Sequence, residues 1–172
     1  MGSLVRNGRN EEVIGLLERT PDAFSPDQLN DALCSAAVLG AVGVVSKLLA
    51  VHADVNAPSK RNTTGWPPLF MAIESGSVEV VRLLLAHGAD LNAQDRMGCT
   101  PLLLAIDYES DTATNNDEEP SAELSSVLID AGADINLSNF EGLTPLGAAI
   151  RGTHTEAERR LRGMGAREGR RI

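Results

Sequence analysis

At 172 residues, 42% of them hydrophobic and with mean hydropathy near zero, the chain is long enough for one domain with a sizeable core. No stretch approaches the roughly 20 apolar residues of a membrane helix, so no membrane partner is expected. A net charge of −9 argues against nucleic acid, which needs a basic face, and 3% aromatics leave the core to Leu, Val, Ile and Ala, residues that suit small, closely stacked helices.

At the start, Met1 to Gly15 holds no apolar run of the secretory type. Leu4 to Gly8 and Asn10 to Arg19, the latter carrying Val13, Ile14, Leu16 and Leu17, predict a shortened helix pair, a partial capping unit over 1–28. Residues 29–64 follow with Ala36 in a first helix. Val45, Leu48 and Leu49 form the i, i+3, i+4 stripe of a second, and Val51-His52-Ala53-Asp54-Val55-Asn56 leads into an extended finger. Residues 65–97 repeat that order: Gly65-Trp66-Pro67-Pro68-Leu69, then Ala72, then Val81, Leu84 and Leu85, then His87-Gly88-Ala89-Asp90-Leu91-Asn92. Residues 98–141 repeat it again with Gly98-Cys99-Thr100-Pro101-Leu102, Ala105, Val127 and Leu128, and Ala131-Gly132-Ala133-Asp134-Ile135-Asn136. The last unit, 142–172, has Gly142-Leu143-Thr144-Pro145-Leu146 and Ala149. Its second helix, Glu156 to Arg162, carries Glu158 and Arg162 in apolar places, as a capping unit would.

Each of these residue types has a physical task. Threonine before proline caps free backbone N–H groups, and proline at the first helical position loses no hydrogen bond. An alanine at one fixed place lets neighbouring helices approach. Glycine after the second helix accepts a left-handed cap. Gly65 and Gly98 stand 33 residues apart. A period of 33 with Gly-x-Thr-Pro-Leu followed by Gly-Ala-Asp-x-Asn resembles the ankyrin repeat, over Leu29 to Arg167. The resemblance implies an all-α fold, an ankyrin-repeat solenoid of helix-turn-helix units with β-hairpin fingers.

The pattern is broken in informative places. The family's histidine after Thr-Pro-Leu is replaced by Cys34, Phe70, Leu103 and Gly147, which implies less regular loops. The first full unit has Asp31-Ala32 in place of Thr-Pro. Asn56 and Asn92 are 36 apart, so the finger Ala57 to Thr64 is longer, polar and locally basic. Gly98 and Gly142 are 44 apart, an excess of 11 that falls at about 107–121. That acidic insertion reads as a mobile loop in place of a tight turn.

Catalytic chemistry is not expected. His52 and His87 read as surface residues at one repeat position, and His154 lies in the last inter-helix turn. There is no His-x-x-His, Cys-x-x-Cys or phosphate loop, so no metal or other cofactor is expected. Cys34 and Cys99 are far apart, which fits a reducing compartment, cytoplasmic or nuclear.

Ankyrin arrays bind proteins along a concave face of finger tips and first helices. Carried over by register, the fingers offer Thr64, Trp66, Arg96, Met97, Cys99, Phe140, Glu141 and Leu143. The first helices offer Val38, Leu39, Glu74, Ser75, Asp107, Tyr108 and Arg151. The only Trp, the only Tyr and one of three Phe fall in these groups, and aromatics dominate binding hot spots. Between Arg96 and Arg151 there is no Lys or Arg, which favours a partner with a basic segment. The expected function is a monomeric protein-interaction module. The alternatives are an enzyme-docking inhibitor, resembling four-repeat inhibitors of cyclin-dependent kinases, and an excised recognition domain of a larger protein.

Overall fold

The structure, a computed structural model, describes residues 1–20, 23–60, 64–116 and 121–169, with only the backbone of 114–116. Arg61 to Thr63 of the first finger, Asp117 to Pro120 of the insertion and the basic Arg170 and Arg171 lie outside the described residues. The fold is all-α. The helices run in chain order as α1 (Gly2–Arg6), α2 (Asn10–Arg19), α3 (Pro26–Val38), α4 (Val42–Ala50), α5 (Pro68–Glu74), α6 (Val78–Ala86), α7 (Pro101–Asn116), α8 (Glu123–Asp130), α9 (Pro145–Arg151) and α10 (Thr155–Gly163). They fall into two compact units, Met1–Asp90 and Leu91–Ile172.

In the first unit the pairs α1/α2, α3/α4 and α5/α6 pack in sequence, with Val13, Leu33, Leu48, Leu69, Ile73 and Leu84 fully or almost fully buried between them. In the second, α7/α8 and α9/α10 enclose Leu102, Ile106, Leu128, Leu146 and Leu161. Ala36, Ala72, Ala105 and Ala149 are each 0% exposed, as close helix approach requires. Among the described residues, four helices start on proline: Pro26, Pro68, Pro101 and Pro145. The hydroxyls of Thr100 and Thr144 accept hydrogen bonds from Leu103 N–H and Gly147 N–H, both at 3.2 Å. The first full unit has its own start. Ser25-Pro26 forms a capping box with Gln28, so α3 begins six residues before Ala32 and is 13 residues long.

The fingers differ from the expected β-hairpins: no strand forms among the described residues. Each finger of the second unit is a tight turn closed by two backbone bonds, Asp95 N–H to Cys99 O with Gly98 N–H to Asp95 O, and Asn139 N–H to Leu143 O with Gly142 N–H to Asn139 O, all 3.0 Å. The Asp95 carboxylate also accepts from Met97 and Cys99 N–H, and the Asn139 side chain from Glu141 and Leu143 N–H. Side-chain acceptors take the bonds that a strand ladder would have used. The nearest approach to a sheet is an isolated antiparallel bridge between Leu143 and Gly169.

The asparagines of the Asp-x-Asn motif tie successive turns together. Asn56 Oδ1 accepts from Asp90 N–H, Asn92 Oδ1 from Asp134 N–H, and Asn136 Oδ1 from Arg167 N–H, at 2.8–2.9 Å. For the first such turn the acceptor is Asn30, taken from inside α3, at 3.0 Å from Asp54 N. His52 stands where the matching turns have Gly88 and Gly132, and it holds φ 65°. It therefore does not share a position with His87, which is the C-cap of α6.

The acidic insertion is a helix over its described first part, not a loop. In the other units the first helix is stopped by a residue of positive φ: Gly40, Gly76 and Thr153, at +62°, +70° and +54°. Gly76 and Thr153 each stand eight residues after the starting proline; the matching residue after Pro101 is Glu109. A glutamate favours helix and resists the left-handed region, so α7 runs on to Asn116. Ser110 and Thr112 return their hydroxyls to Ile106 O and Tyr108 O, and Ala113 is buried. Small and hydroxylated residues on one side of the extension thus cover the unit, although its composition is polar.

Candidate functional site

Neighbouring fingers of the second unit are joined at their tips. Phe140 N–H donates to Met97 O at 3.1 Å, and the Gln94 side-chain amide donates to Gly98 O and Ser138 O. The Phe140 ring lies against Gly98, where a Cβ would stand 2.6 Å from Cδ1 and 2.8 Å from Phe140 N. Any side chain there would push the two tips apart. With this backing, Phe140 remains 73% exposed and Met97 60%, the two most exposed large apolar side chains among the described residues. A groove beside the ring is lined by Asn139, Glu141, Gly142, Thr144 and Gly169.

Next to Gly98, the half-buried Cys99 thiol is pushed up to about 12, by burial first and then by the carboxylates of Asp95 and Asp107. Asp107 lies on α7, eight residues beyond Cys99. Its own carboxyl is raised above the ordinary value of 3.8 because burial disfavours the charge; Arg151 opposes the shift and Asp111, one turn on, adds to it. Arg151, at the end of α9, donates to Asp107 Oδ1 at 3.2 Å. Asp107, Ser110, Asp111, Arg151, Gly152 and Thr153 surround an open polar cleft of about 510 Å³. Glu141 and Arg96 are exposed, and Tyr108 is half-buried. Leu143 is buried: it braces the finger through the bridge to Gly169 and offers little side chain to a partner.

The remaining candidates lie in the first unit. Trp66 is half-buried, its ring 5.8 Å from that of the buried Phe70. Ser75 is the C-cap of α5 and donates to Ala37 O and Ala72 O, so its hydroxyl is occupied within the unit. Glu74 is exposed, as are Val38 and Leu39 at 39% and 51%. The structure thus gathers Met97, Cys99, Asp107, Phe140, Glu141 and Arg151 into the second unit and leaves Trp66, Glu74 and Ser75 in the first.

Sequence reasoning treated Glu109 as part of an acidic run and His154 as a turn residue. Both are buried, their side chains 3% and 0% exposed, and they bond to each other. The signal was available: Glu109 occupies the place where its counterparts have positive φ, and His154 directly precedes α10. The nucleophilic groups are weak ones. Burial raises the Cys34 thiol to about 11, so neither cysteine supplies thiolate near neutrality. Among the described residues, no group of three or more His, Cys, Asp or Glu is placed to hold a metal ion, and no helix is long and apolar enough to cross a membrane.

Comparison with known families matches residues 33–115 to a model described as ankyrin repeats (3 copies). Comparison with curated proteins gave no match.

Proposed function

We propose, on the premise that this chain is an ankyrin-repeat protein, that it binds a partner protein through the finger tips and first helices of its second unit. Ankyrin repeats are generally protein–protein interaction modules and typically not enzymes. One observation carries the reading. A chain with 3% aromatic residues exposes Phe140 at a braced finger tip, beside an exposed Met97. Exposed apolar anchors on a rigid frame lose little entropy on binding and are what hot spots are made of. The acidic surroundings, Asp107, Asp111 and Glu141, favour a partner with a basic segment. On this reading the units 1–28, 29–64, 65–97, 98–141 and 142–172 serve as a monomeric intracellular scaffold, in the cytoplasm or nucleus.

The test is affinity capture from cell lysate with wild type, the Met97→Ala/Phe140→Ala variant and Trp66→Ala, each checked for native circular dichroism. Proteins held by wild type and Trp66→Ala but lost by the double variant support the second-unit site. Equal capture by all three overturns it, and loss with Trp66→Ala alone moves the site to the first unit.

A further inference from the structure

The exposed apolar tip and the acidic cleft adjoin. Phe140 lies on Gly98, and the finger leads through Cys99 into α7, whose second turn carries Asp107. Asp107 and Asp111 stand four residues apart on α7, a spacing at which like charges repel. No Lys or Arg occurs from Met97 to Ile150, so the surroundings supply little positive charge along the chain. Among the described residues the cleft is lined by one cation, Arg151. Its contact with Asp107 is a single bond at 3.2 Å between side chains that are 59% and 40% exposed. Such an exposed pair contributes little and gives way readily to another cation. A guanidinium of this chain already shows how a cation sits on Asp107.

Resting on the binding reading above, we infer that the partner segment places an apolar side chain on Phe140 and a lysine or arginine on Asp107, and that Arg151 is the group it displaces. Arg151 is then a built-in competitor. It satisfies Asp107 in the free protein and lowers the affinity of every basic segment by the small factor that the exposed pair contributes. Negative charge on both α7 and the finger turn, at Asp111 and Glu141, selects against acidic segments in the same step.

The probe is a phage-displayed library of random twelve-residue peptides selected on the full chain. Enrichment of lysine or arginine close to a large apolar residue is expected. The most enriched peptide, synthesised and titrated by calorimetry, binds Arg151→Ala about two- to five-fold more tightly than wild type, the range that loss of an exposed ion pair allows. Asp107→Asn binds it at least about three-fold more weakly. Arg159→Ala removes the same charge from α10, where Arg159 pairs with Glu156, and leaves the affinity unchanged. Failure to enrich basic peptides overturns the inference. So does equal or weaker binding by Arg151→Ala, or equal tightening by Arg159→Ala. Phe140→Ala separates this from the reading beneath it. If Phe140→Ala abolishes binding while Arg151→Ala changes nothing, the face stands and the competitor falls. If Phe140→Ala binds like wild type, the face itself falls.

Discussion

Glu109 and His154 join the starts of two helices in the second unit, with Oε2 3.1 Å from Nε2. Glu109 Oε1 accepts from Leu124 N–H at 2.7 Å and Ser125 N–H at 3.2 Å. It therefore caps α8, whose own N-cap residue, Ala122, has no capping side chain. His154 Nδ1 accepts from Ala157 N–H and so caps α10, while Nε2 faces Glu109 and the Ser121 carbonyl. Two acceptors at Nε2 and a donor at Nδ1 assign the proton to Nε2. Removing either partner strands polar groups in the interior. Glu109→Ala and His154→Ala are each expected to lower stability by about 3 kcal/mol in urea unfolding. Their double-mutant cycle should show coupling of about 1 kcal/mol or more, and additive losses would refute the link.

The asparagine ties are more exposed and individually weaker. Asn92→Ala leaves Asp134 N–H to water and should cost about 1 kcal/mol, with Asn136→Ala similar at Arg167. Faster hydrogen exchange at Asp134 N–H in Asn92→Ala, measured against wild type, checks the assignment directly.

Burial separates the frame from the proposed binding surface. Leu84, 0% exposed, should cost about 2–5 kcal/mol as Leu84→Ala. Phe140, 73% exposed, should change stability by no more than about 0.5 kcal/mol as Phe140→Ala. Thermal or urea melts of the two variants suffice. A large loss from Phe140→Ala would mean that the ring supports the fingers.

Asp107 ties pH to stability with a definite sign. Its carboxyl is raised above 3.8 by burial, with Arg151 lowering it and Asp111 raising it. A raised carboxyl contributes stability below its unfolded value and loses it as pH rises through the folded one. Asp107→Asn should therefore be at least as stable as wild type near neutral pH, and relatively less so in acid. Arg151→Ala removes the opposing charge, so Asp107 should titrate higher still in a carboxyl-carbon NMR titration. A downward move would contradict the geometry.

The thiols should be slow nucleophiles. With Cys99 at about 12 and Cys34 at about 11, alkylation by iodoacetamide at pH 8 should be slower in the folded chain than in urea by roughly a hundredfold or more for Cys99. Mass spectrometry over time reads both sites.

The repeat was legible in the residues because its signals are local. Pro68, Pro101 and Pro145 start helices by their own stereochemistry, Thr100 and Thr144 cap them within three residues, and the Val81, Leu84 and Leu85 stripe declares its buried face by spacing alone. Phe140, Met97 and Asp107 could be placed near a finger or on a first helix for the same reason. Tertiary structure decided the rest. Acidic composition at 107–121 suggested a loop, but a helix also depends on whether its stop residue is present and on what its inner side meets. Glu109 lacks the left-handed geometry of Gly76 and finds two N–H groups and His154, brought to it from 15 and 45 residues away. That burial is favourable only because distant groups complete its hydrogen bonds, a condition that spacing along a chain does not express. Likewise Leu143 shares its motif position with Cys99, yet it is buried because Gly169 returns to pair with it. Local propensity set the elements of this protein; long-range satisfaction of polar groups set how far α7 runs and which finger residues remain exposed.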